Sequence, residues 1–215
     1  MIPLFHDFSD ESVLVFGGGA VGARKARRFA REARVVVVSP AFGGRDFGDA
    51  ELVRAAPTPE AVSGWVDRVD PALVVAATDD DAVNGAAEAA ARGRCALVNR
   101  ADRAGGRDAG SVVVPATVRD GPVTVAVSTG GASPALSKYL RERLESELAG
   151  AGAMAELTGE LREELKGDGV PPDERRAAIR AVARSSRVWK ALRTAESNAR
   201  REAERVIRET RGEPR

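Results

Sequence analysis

Residues 13–30 read VLVFGGGAVGARKARRFA, in which an apolar run meets consecutive glycines and an alanine- and arginine-rich segment follows. The residues SVLVF at 12–16 are typical of a buried strand, and residues 21–32 are typical of a helix. A glycine-rich turn between a strand and a helix is the setting of the dinucleotide-binding fingerprint. The stretch therefore indicates a nucleotide site at the turn.

Three glycines of this turn match the spacing G-x-G-x-x-G. Gly17 allows the tight turn, Gly19 lets a pyrophosphate approach the backbone, and Gly22 lets helix and strand pack closely. The helix N-terminus supplies N–H groups and a positive dipole end to the phosphates. The alternative interpretation is a strand–helix turn in which the glycines fall by chance.

Four further apolar runs alternate with helical stretches. They predict strands at 35–40, 51–55, 73–81 and 95–99, with a helix at 81–92. This alternation is typical of βαβ units. We therefore predict an α/β fold that begins with a Rossmann-type parallel sheet.

The second strand ends in Ser39, Pro40 and Ala41. The fingerprint usually places an Asp or Glu there for the ribose hydroxyls. The missing carboxylate weakens a prediction of strict NAD selectivity. Arg45 lies downstream, either as a partner for a 2′-phosphate or as a solvated loop residue.

Polar residues also follow the fourth and fifth strands, at the sheet edge where ligands bind in open α/β folds. Thr78 is predicted to face the cofactor, and Asn99 lies at the end of the fifth strand. Asp80 and Asp81 are interpreted as a helix N-cap and a solvated first turn. Asp102 is either a loop-capping residue or a carboxylate placed to take a proton.

The pattern changes after the fifth strand, where a glycine-rich, charged loop is predicted at 100–111. Two strands are predicted at 111–116 and 122–128, with Gly121 in the turn between them. A helix follows, with Ser133 as its N-cap and Pro134 at its first position.

The remainder of the chain reads as helices only. A break is predicted at 167–172, and one charged helix is predicted from residue 173 onward. Four arginines recur at i, i+4, i+8 and i+11 and would share one face of that helix. They are Arg176, Arg180, Arg184 and Arg187.

Composition narrows the classes of function. The chain has 215 residues, a formal net charge of +1 and few aromatic residues, which argues against a nucleic-acid partner. No run reaches the roughly 18 apolar residues of a membrane span, and the N-terminal segment lacks the basic start of a signal peptide. The single cysteine, Cys95, suits a reducing cytoplasm, which is the predicted location. With one histidine, His6, no resident metal is predicted.

Four stretches together resemble precorrin-2 dehydrogenase, the NAD-dependent part of sirohaem synthase. They are GGGAVGARKA at 17–26, AATDDDAVN at 76–84, VNRAD at 98–102 and VAVSTGGASPALSKYLRERLE at 125–145. The S-T-G-G-A-S-P segment within the last stretch is more specific than the glycine turn, because generic Rossmann domains lack it. The resemblance covers the chain to about residue 150 and continues loosely to about residue 200.

The resemblance implies an NAD-binding Rossmann domain at 1–110, a homodimerisation segment at 111–150 and a helical C-terminal domain at 151–215. It implies NAD-dependent dehydrogenation of precorrin-2, a polycarboxylate tetrapyrrole, to sirohydrochlorin. Some members also act as sirohydrochlorin ferrochelatase, for which Fe²⁺ or Co²⁺ would be a transient substrate.

The resemblance also assigns residues. Asp102 matches the family's essential aspartate, which serves proton removal or metal insertion, and Ser128 matches a serine at the cleft of relatives. Cofactor contacts fall on four further positions, Ala20, Val21, Pro40 and Ala41. The arginine face either meets the substrate carboxylates, with Arg176 and Arg180 as candidates, or is a solvated charged face.

A nucleotide-sensing Rossmann module without catalysis is the alternative function. Such a sensor would end after the sheet or lead into a different effector domain. The S-T-G-G-A-S-P segment at 128–134 favours the enzyme.

Overall fold

The computed structural model of the chain describes residues 2–102, 111–194 and 198–212. The chain divides into two compact units, Met1–Val114 and Pro115–Arg215. Most of the loop predicted at 100–111 lies outside the described residues, as does the predicted domain boundary at residue 110. The division into three parts stays a prediction.

The first unit is built on a five-stranded parallel sheet with the order β3-β2-β1-β4-β5. This arrangement confirms the predicted Rossmann-type α/β fold. The central strand β1 pairs with both β2 and β4, so the ends of these three strands meet at one edge. The strands are β1 (Ser12–Phe16), β2 (Arg34–Ser39), β3 (Glu51–Arg54), β4 (Leu73–Ala76) and β5 (Leu97–Arg100).

Three helices connect these strands: α1 (Ala20–Phe29), α2 (Val62–Val69) and α3 (Asp81–Gly93). Helix α2 follows a 3₁₀ turn at Pro59–Ala61 and is not among the helices predicted from the sequence. Its sequence VSGWVDRV has weak helix propensity, because it contains one glycine and three β-branched valines. Packing overrides this propensity, since Val62 and Val66 are fully buried.

The sheet is apolar on both faces because its side chains alternate with a period of two. Val13 and Val15 pack with Ala26 of α1 on one face. Leu14 and Phe16 pack on the other face, against α2 and α3. Full burial of a side chain such as Phe16 is worth about 1.5–3 kcal/mol, so the two layers hold the strand ends in fixed positions.

The second unit begins with an antiparallel hairpin of β6 (Ala116–Asp120) and β7 (Val123–Val127). The strand predicted at 111–116 is wrong, because the ladder starts at Ala116 and Ser111 forms only an isolated bridge to Val98. The hairpin closes through two residues, and Gly121 has a φ of 53°. A positive φ at the first loop residue is what a type II′ turn requires. The loop is therefore only two residues long, and β6 extends to Asp120, beyond the predicted strand end at residue 116.

Helix α4 (Pro134–Glu147) follows the hairpin, as predicted. The Ser133 side chain caps it by accepting a hydrogen bond from the Leu136 N–H at 3.2 Å. Within the segment before the helix, the Thr129 hydroxyl accepts from the Ser133 N–H and lies 3.1 Å from the Ser137 hydroxyl. The S-T-G-G-A-S-P segment is therefore a compact capping turn.

Four helices complete the described part of the second unit: α5 (Ala151–Gly167), α6 (Pro172–Arg184), α7 (Ser186–Arg193) and α8 (Ala199–Arg211). The single charged helix predicted from residue 173 is wrong. Ser185 has an extended backbone and its side chain caps α7, which ends α6 at Arg184. Val182 and Val188 then both reach the apolar core that α5 and α8 share.

The hairpin tip lies against the start of α5. Gly121 and Gly152 face one another so closely that a Cβ on Gly152 would lie 2.6 Å from the Asp120 carbonyl oxygen. The Asp120 carboxylate accepts a hydrogen bond from the Gly152 N–H at 3.1 Å. This anion lies at the positive end of the helix dipole and stabilises α5.

Candidate functional site

The glycine turn after β1 is held by backbone contacts that leave no room for side chains. Gly17 has a φ of 115°, and a Cβ there would lie 2.4 Å from the Ala77 carbonyl oxygen. A Cβ on Gly22 would lie 1.9 Å from the Gly17 carbonyl oxygen. Both distances are below any contact that real Cβ atoms make, so these two glycines are required by the fold of the turn itself.

Replacing Gly22 by Ala is expected to destabilise the first unit by about 1–3 kcal/mol, because the new methyl group overlaps a backbone oxygen that cannot rotate away. Gly85→Ala is the matched control, since Gly85 lies within α3 and a Cβ there meets nothing within 4 Å. The control is expected to gain about 0.5–1 kcal/mol from helix propensity. Urea unfolding of both variants measures the difference, and equal stability would contradict the close-packing role of Gly22.

Gly19 differs from its neighbours because the space beside it is open. A Cβ there would meet nothing within 4 Å. Gly19 is the N-cap of α1, with no side-chain hydrogen bond to the helix and no acidic residue in the first turn. The first N–H groups of a helix have no intrahelical partner, so those of Ala20, Val21 and Gly22 are available to an anion.

A cleft of about 410 Å³ lies at this edge of the sheet. It brings together five of the predicted cofactor residues, Gly17, Gly19, Ser39, Pro40 and Thr78. The remaining lining residues were not predicted to contact the cofactor. They come from the middle glycine, β2, the loop after β3, the turn after β4 and helix α3. They are Gly18, Val38, Ala56, Pro57, Ala77, Asp79, Asp80 and Val83.

The end of β2 forms one wall of the cleft through backbone and small side chains. The Ser39 hydroxyl donates a hydrogen bond to the Ala41 carbonyl oxygen at 2.9 Å, which fixes the turn after the strand. A Cβ on Gly18 would lie 2.1 Å from that same oxygen. Ala41 therefore shapes the wall without lining the cleft. The Arg45 guanidinium donates to the Phe42 carbonyl at 3.4 Å within its own loop.

A short network fixes the turn after β4. The Asn84 side chain donates to the Thr78 carbonyl oxygen at 2.9 Å and accepts from the Thr78 hydroxyl at 2.8 Å. The Asp80 carboxylate accepts from the Ala82 and Val83 N–H groups, which confirms the predicted N-cap. Asp81 is 90% exposed, as predicted for a solvated first turn. Thr78 therefore lines the cleft while its hydroxyl donates a hydrogen bond to Asn84 of α3.

Asn99 lies near the end of β5 and is buried. Its amide nitrogen donates a hydrogen bond to the Val112 carbonyl at 2.7 Å. Its Oδ1 atom is buried and has no hydrogen-bond partner within the described residues. This orphaned acceptor would be satisfied by an N–H donor, and its role toward a cofactor stays a prediction.

Asp102 follows β5 and its carboxylate is held by Arg100. The Arg100 Nε and Nη2 atoms donate to the two carboxylate oxygens at 2.9 and 2.5 Å. The third guanidinium nitrogen, Nη1, donates to Glu88 on α3 at 2.9 Å. The hydrogen bond to Asp102 is the largest cause of a raised pKa for Arg100, so the guanidinium stays charged. Sequence reasoning missed Arg100 and Glu88.

The remaining predicted residues lie in the second unit. Ser128 is exposed, and its hydroxyl accepts from the Gly130 N–H at 3.2 Å. Arg176 pairs with Asp173, whereas Arg180 is exposed and has no ion pair among the described residues. Because α6 ends at Arg184, the predicted four-arginine face is wrong for Arg187, which lies on α7 and pairs with Glu209.

Within residues 2–102, 111–194 and 198–212, no group of three or more His, Cys, Asp or Glu side chains is arranged to hold a metal ion. In the same part of the chain, no helix has both the length and the apolar character that crossing a membrane requires.

The cleft fits a dinucleotide. The open space beside Gly19 leaves room for a pyrophosphate at the uncapped N-terminus of α1. The neutral wall of Ser39 and Pro40 lies where the ribose of such a ligand would reach the end of β2.

Two family models match the chain. One is a model of NAD(P)-binding domains, which matches residues 4–116. The other is described as the sirohaem biosynthesis protein central domain and matches residues 120–147. The fold, the glycine turn and the cleft together define an NAD(P)-binding Rossmann domain.

Curated relatives narrow this class. A precorrin-2 dehydrogenase of Methanosarcina barkeri is 32% identical over 197 residues, which are 87% of this chain and 85% of that protein. A siroheme synthase of Pectobacterium atrosepticum is 37% identical over 172 residues, which are 77% of this chain and 34% of that protein. The chain thus spans about a third of the length of this siroheme synthase. The chain belongs to the family of precorrin-2 dehydrogenase and the corresponding part of siroheme synthase.

A solved structure supports the fold over nearly the whole length. The structure named "SirC, precorrin-2 dehydrogenase" superposes with a TM-score of 0.69 at 24% identity and covers 97% of this chain and 100% of that chain. The comparison therefore extends to the helical part beyond the sheet.

Proposed function

We propose that the chain is a precorrin-2 dehydrogenase that oxidises precorrin-2 to sirohydrochlorin with NAD. The observation that carries this proposal is the dinucleotide cleft at the glycine turn in a chain that matches a precorrin-2 dehydrogenase along most of both lengths. A nucleotide sensor without catalysis is not favoured, because the match continues through the S-T-G-G-A-S-P segment and beyond.

The reaction removes two hydrogens from the macrocycle, one as a hydride and one as a proton. A bound nicotinamide would accept the hydride. The chain's own part is to bind and orient: the α1 N-terminus holds the pyrophosphate, and the Ser39–Pro40 wall receives the ribose. Asp102 accepts the proton, since it is a carboxylate at the same edge of the sheet.

The finer parts of the proposal concern specificity and partners. NAD is proposed over NADP because the resemblance to the NAD-dependent part of sirohaem synthase implies it; the neutral strand end at Pro40 and Ala41 does not by itself favour either cofactor. Ferrochelation with Fe²⁺ or Co²⁺ as substrate, substrate contacts by Ser128, Arg176 and Arg180, and a cytoplasmic location stay predictions.

The test of the proposal is optical. Precorrin-2 and NAD are mixed with the purified chain under anaerobic conditions, and NADH formation is followed together with the absorption of the more conjugated product. We expect one NADH for each sirohydrochlorin. NAD binding without any spectral change of the tetrapyrrole would favour the sensor instead.

We also propose a homodimer formed through α4. This helix has no buried residue, and three large apolar side chains lie exposed on one face of it: Leu136, Tyr139 and Leu140. Their spacing of i, i+3 and i+4 makes a continuous stripe. A second copy with the same stripe would cover it by two-fold symmetry.

Replacing Tyr139 by Lys is expected to convert the dimer to a monomer at micromolar concentration, because a cation would be buried in the centre of the apolar stripe. Glu145→Gln is the control, since it changes the charge by the same amount at a half-exposed position on the opposite side of α4. Light scattering measures the mass. A monomeric wild-type chain, or a dimeric Tyr139→Lys variant, would contradict the proposed interface.

A further inference from the structure

Arg100, two residues before Asp102 in the stretch VNRAD at 98–102, carries a buried charge. The Arg100 side chain is 4% exposed, and its partners Glu88 and Asp102 are 11% and 14% exposed. The guanidinium uses all three of its nitrogens on these two carboxylates. Arg100 thus connects the interior of the α3–β5 layer to the carboxylate proposed to react.

Three carboxylates and one further guanidinium of the described residues lie around the Arg100 side chain. Asp102 follows the same strand, and α3 contributes Glu88 and, at 3.7 Å, the exposed Asp81. Glu88 also accepts a hydrogen bond from Arg92 at 2.8 Å. Each nitrogen of the buried Arg100 guanidinium therefore donates to a carboxylate.

Packing alone gives no reason for this arrangement. Buried ion pairs are replaceable by apolar residues with little loss of stability, and sometimes with a gain. Apolar side chains already pack α3 against β5 in the same layer, among them Ala87, Ala91 and Val98. The buried guanidinium beside Asp102 therefore indicates that Arg100 contributes to the function of Asp102.

The bidentate geometry defines that role. An arginine fork that binds both oxygens fixes the plane and the direction of a carboxylate, which a single point charge does not. A cation in direct contact also favours the ionised form of the carboxylate. Glu88 of α3 accepts a hydrogen bond from the third guanidinium nitrogen and so fixes the Arg100 side chain. The orientation of the Asp102 carboxylate therefore depends on α3 as well as on Arg100.

We infer that Arg100, supported by Glu88, is a positioning residue that orients the Asp102 carboxylate for the reaction and keeps it ionised at lower pH. The inference rests on the proposed function, in which Asp102 accepts a proton. Its consequence is an enzyme whose activity persists on the acid side of neutrality, where an isolated and partly buried carboxylate would begin to protonate.

The experiment measures the pH dependence of NADH formation from precorrin-2 in two variants with opposite expectations. Arg100→Gln removes the cation that favours the ionised carboxylate. The acid limb of the pH profile, where kcat falls as Asp102 is protonated, is therefore expected to move up by about 1–3 pH units. Arg100→Lys keeps the cation but loses the fork. Its acid limb is expected to stay near the wild-type position while kcat falls roughly 10- to 100-fold through misorientation.

Controls separate this role from a structural one. NAD affinity is expected to be unchanged in both variants, because the glycine turn is untouched. Arg94→Gln is the matched control, since Arg94 also pairs with two carboxylates, Asp67 and Asp70, but at an exposed site. Its pH profile is expected to superpose on that of the wild type. If Arg100→Gln does not fold, the double variant Arg100→Met/Glu88→Met removes both buried charges and is expected to show the same shift.

Three outcomes separate the inference about Arg100 from the proposed function. Wild-type turnover with an unshifted acid limb in Arg100→Gln, or in the double variant, overturns the inference and leaves the proposed function intact. A wild-type chain that makes no NADH from precorrin-2 overturns the proposed function, and the inference with it. A shifted limb in Arg100→Gln with an unshifted limb in Arg100→Lys supports the inference.

Discussion

Replacing Gly19 by Asp is expected to weaken dinucleotide binding severely while leaving the fold intact or slightly more stable. The backbone of Gly19 is extended, with a φ of −73° and a ψ of −176°, which any residue adopts. Nothing in the structure occupies the space that the side chain would take. Asp is also among the preferred N-cap residues, so its carboxylate can bond to the free N–H groups of α1.

The same carboxylate would lie where the pyrophosphate belongs. Two unit charges about 4 Å apart repel by about 4 kcal/mol at an effective dielectric constant of about 20. Since about 1.4 kcal/mol corresponds to a factor of ten, NAD affinity is expected to fall by roughly three orders of magnitude. Calorimetric titration with NAD measures the affinity, and thermal unfolding measures the stability.

Gly64→Asp is the matched control for this variant. Gly64 lies in α2, a Cβ there meets nothing within 4 Å, and the charge change is the same. The control is expected to bind NAD as the wild type does. Normal NAD affinity in Gly19→Asp would show that the pyrophosphate does not bind at this turn.

The second large effect is expected for Asp102→Asn. A positioned general base contributes about 10²–10⁴-fold to a rate, so NADH formation from precorrin-2 is expected to fall by that range. Asn has the same shape, and its amide oxygen can still accept one hydrogen bond from Arg100. NAD affinity is therefore expected to stay at the wild-type value.

Asp81→Asn is the control for Asp102→Asn, because it removes a carboxylate that also lies near Arg100 but is 90% exposed. Iron insertion into sirohydrochlorin is measured beside NADH formation. Loss of both reactions points to one shared site, and loss of insertion alone assigns Asp102 to the metal step. Wild-type rates of both reactions in Asp102→Asn would remove Asp102 from the site.

The part of the site that could be predicted from the sequence depends on neighbours along the chain. The turn at Gly17–Gly22 and the N-cap at Asp80 are local patterns, in which each residue acts within a few positions of itself. The parallel sheet brings the strand ends together by a general rule. These features could therefore be placed without coordinates.

The remaining parts depend on contacts between distant residues. Arg100 and Glu88 are polar residues in segments that read as a strand and a helix, and only the packing of α3 on β5 brings them together. Helix α2 depends on the burial of Val62 and Val66 against the sheet, because its own propensity is weak. The break at Ser185 is a single capping interaction within an otherwise helical pattern.

The contact between the hairpin tip and α5 constrains how this chain can vary. Gly152 has no space for a Cβ, and Gly121 combines a positive φ with a Cβ position only 3.1 Å from the Gly152 Cα. The Gly152 N–H also donates to the Asp120 carboxylate. A change at one of these positions needs a matching change at another, so the three are expected to covary among relatives. Recombination between two family members with a crossover near residue 150 would separate them and join a tip from one parent to a helix start from the other.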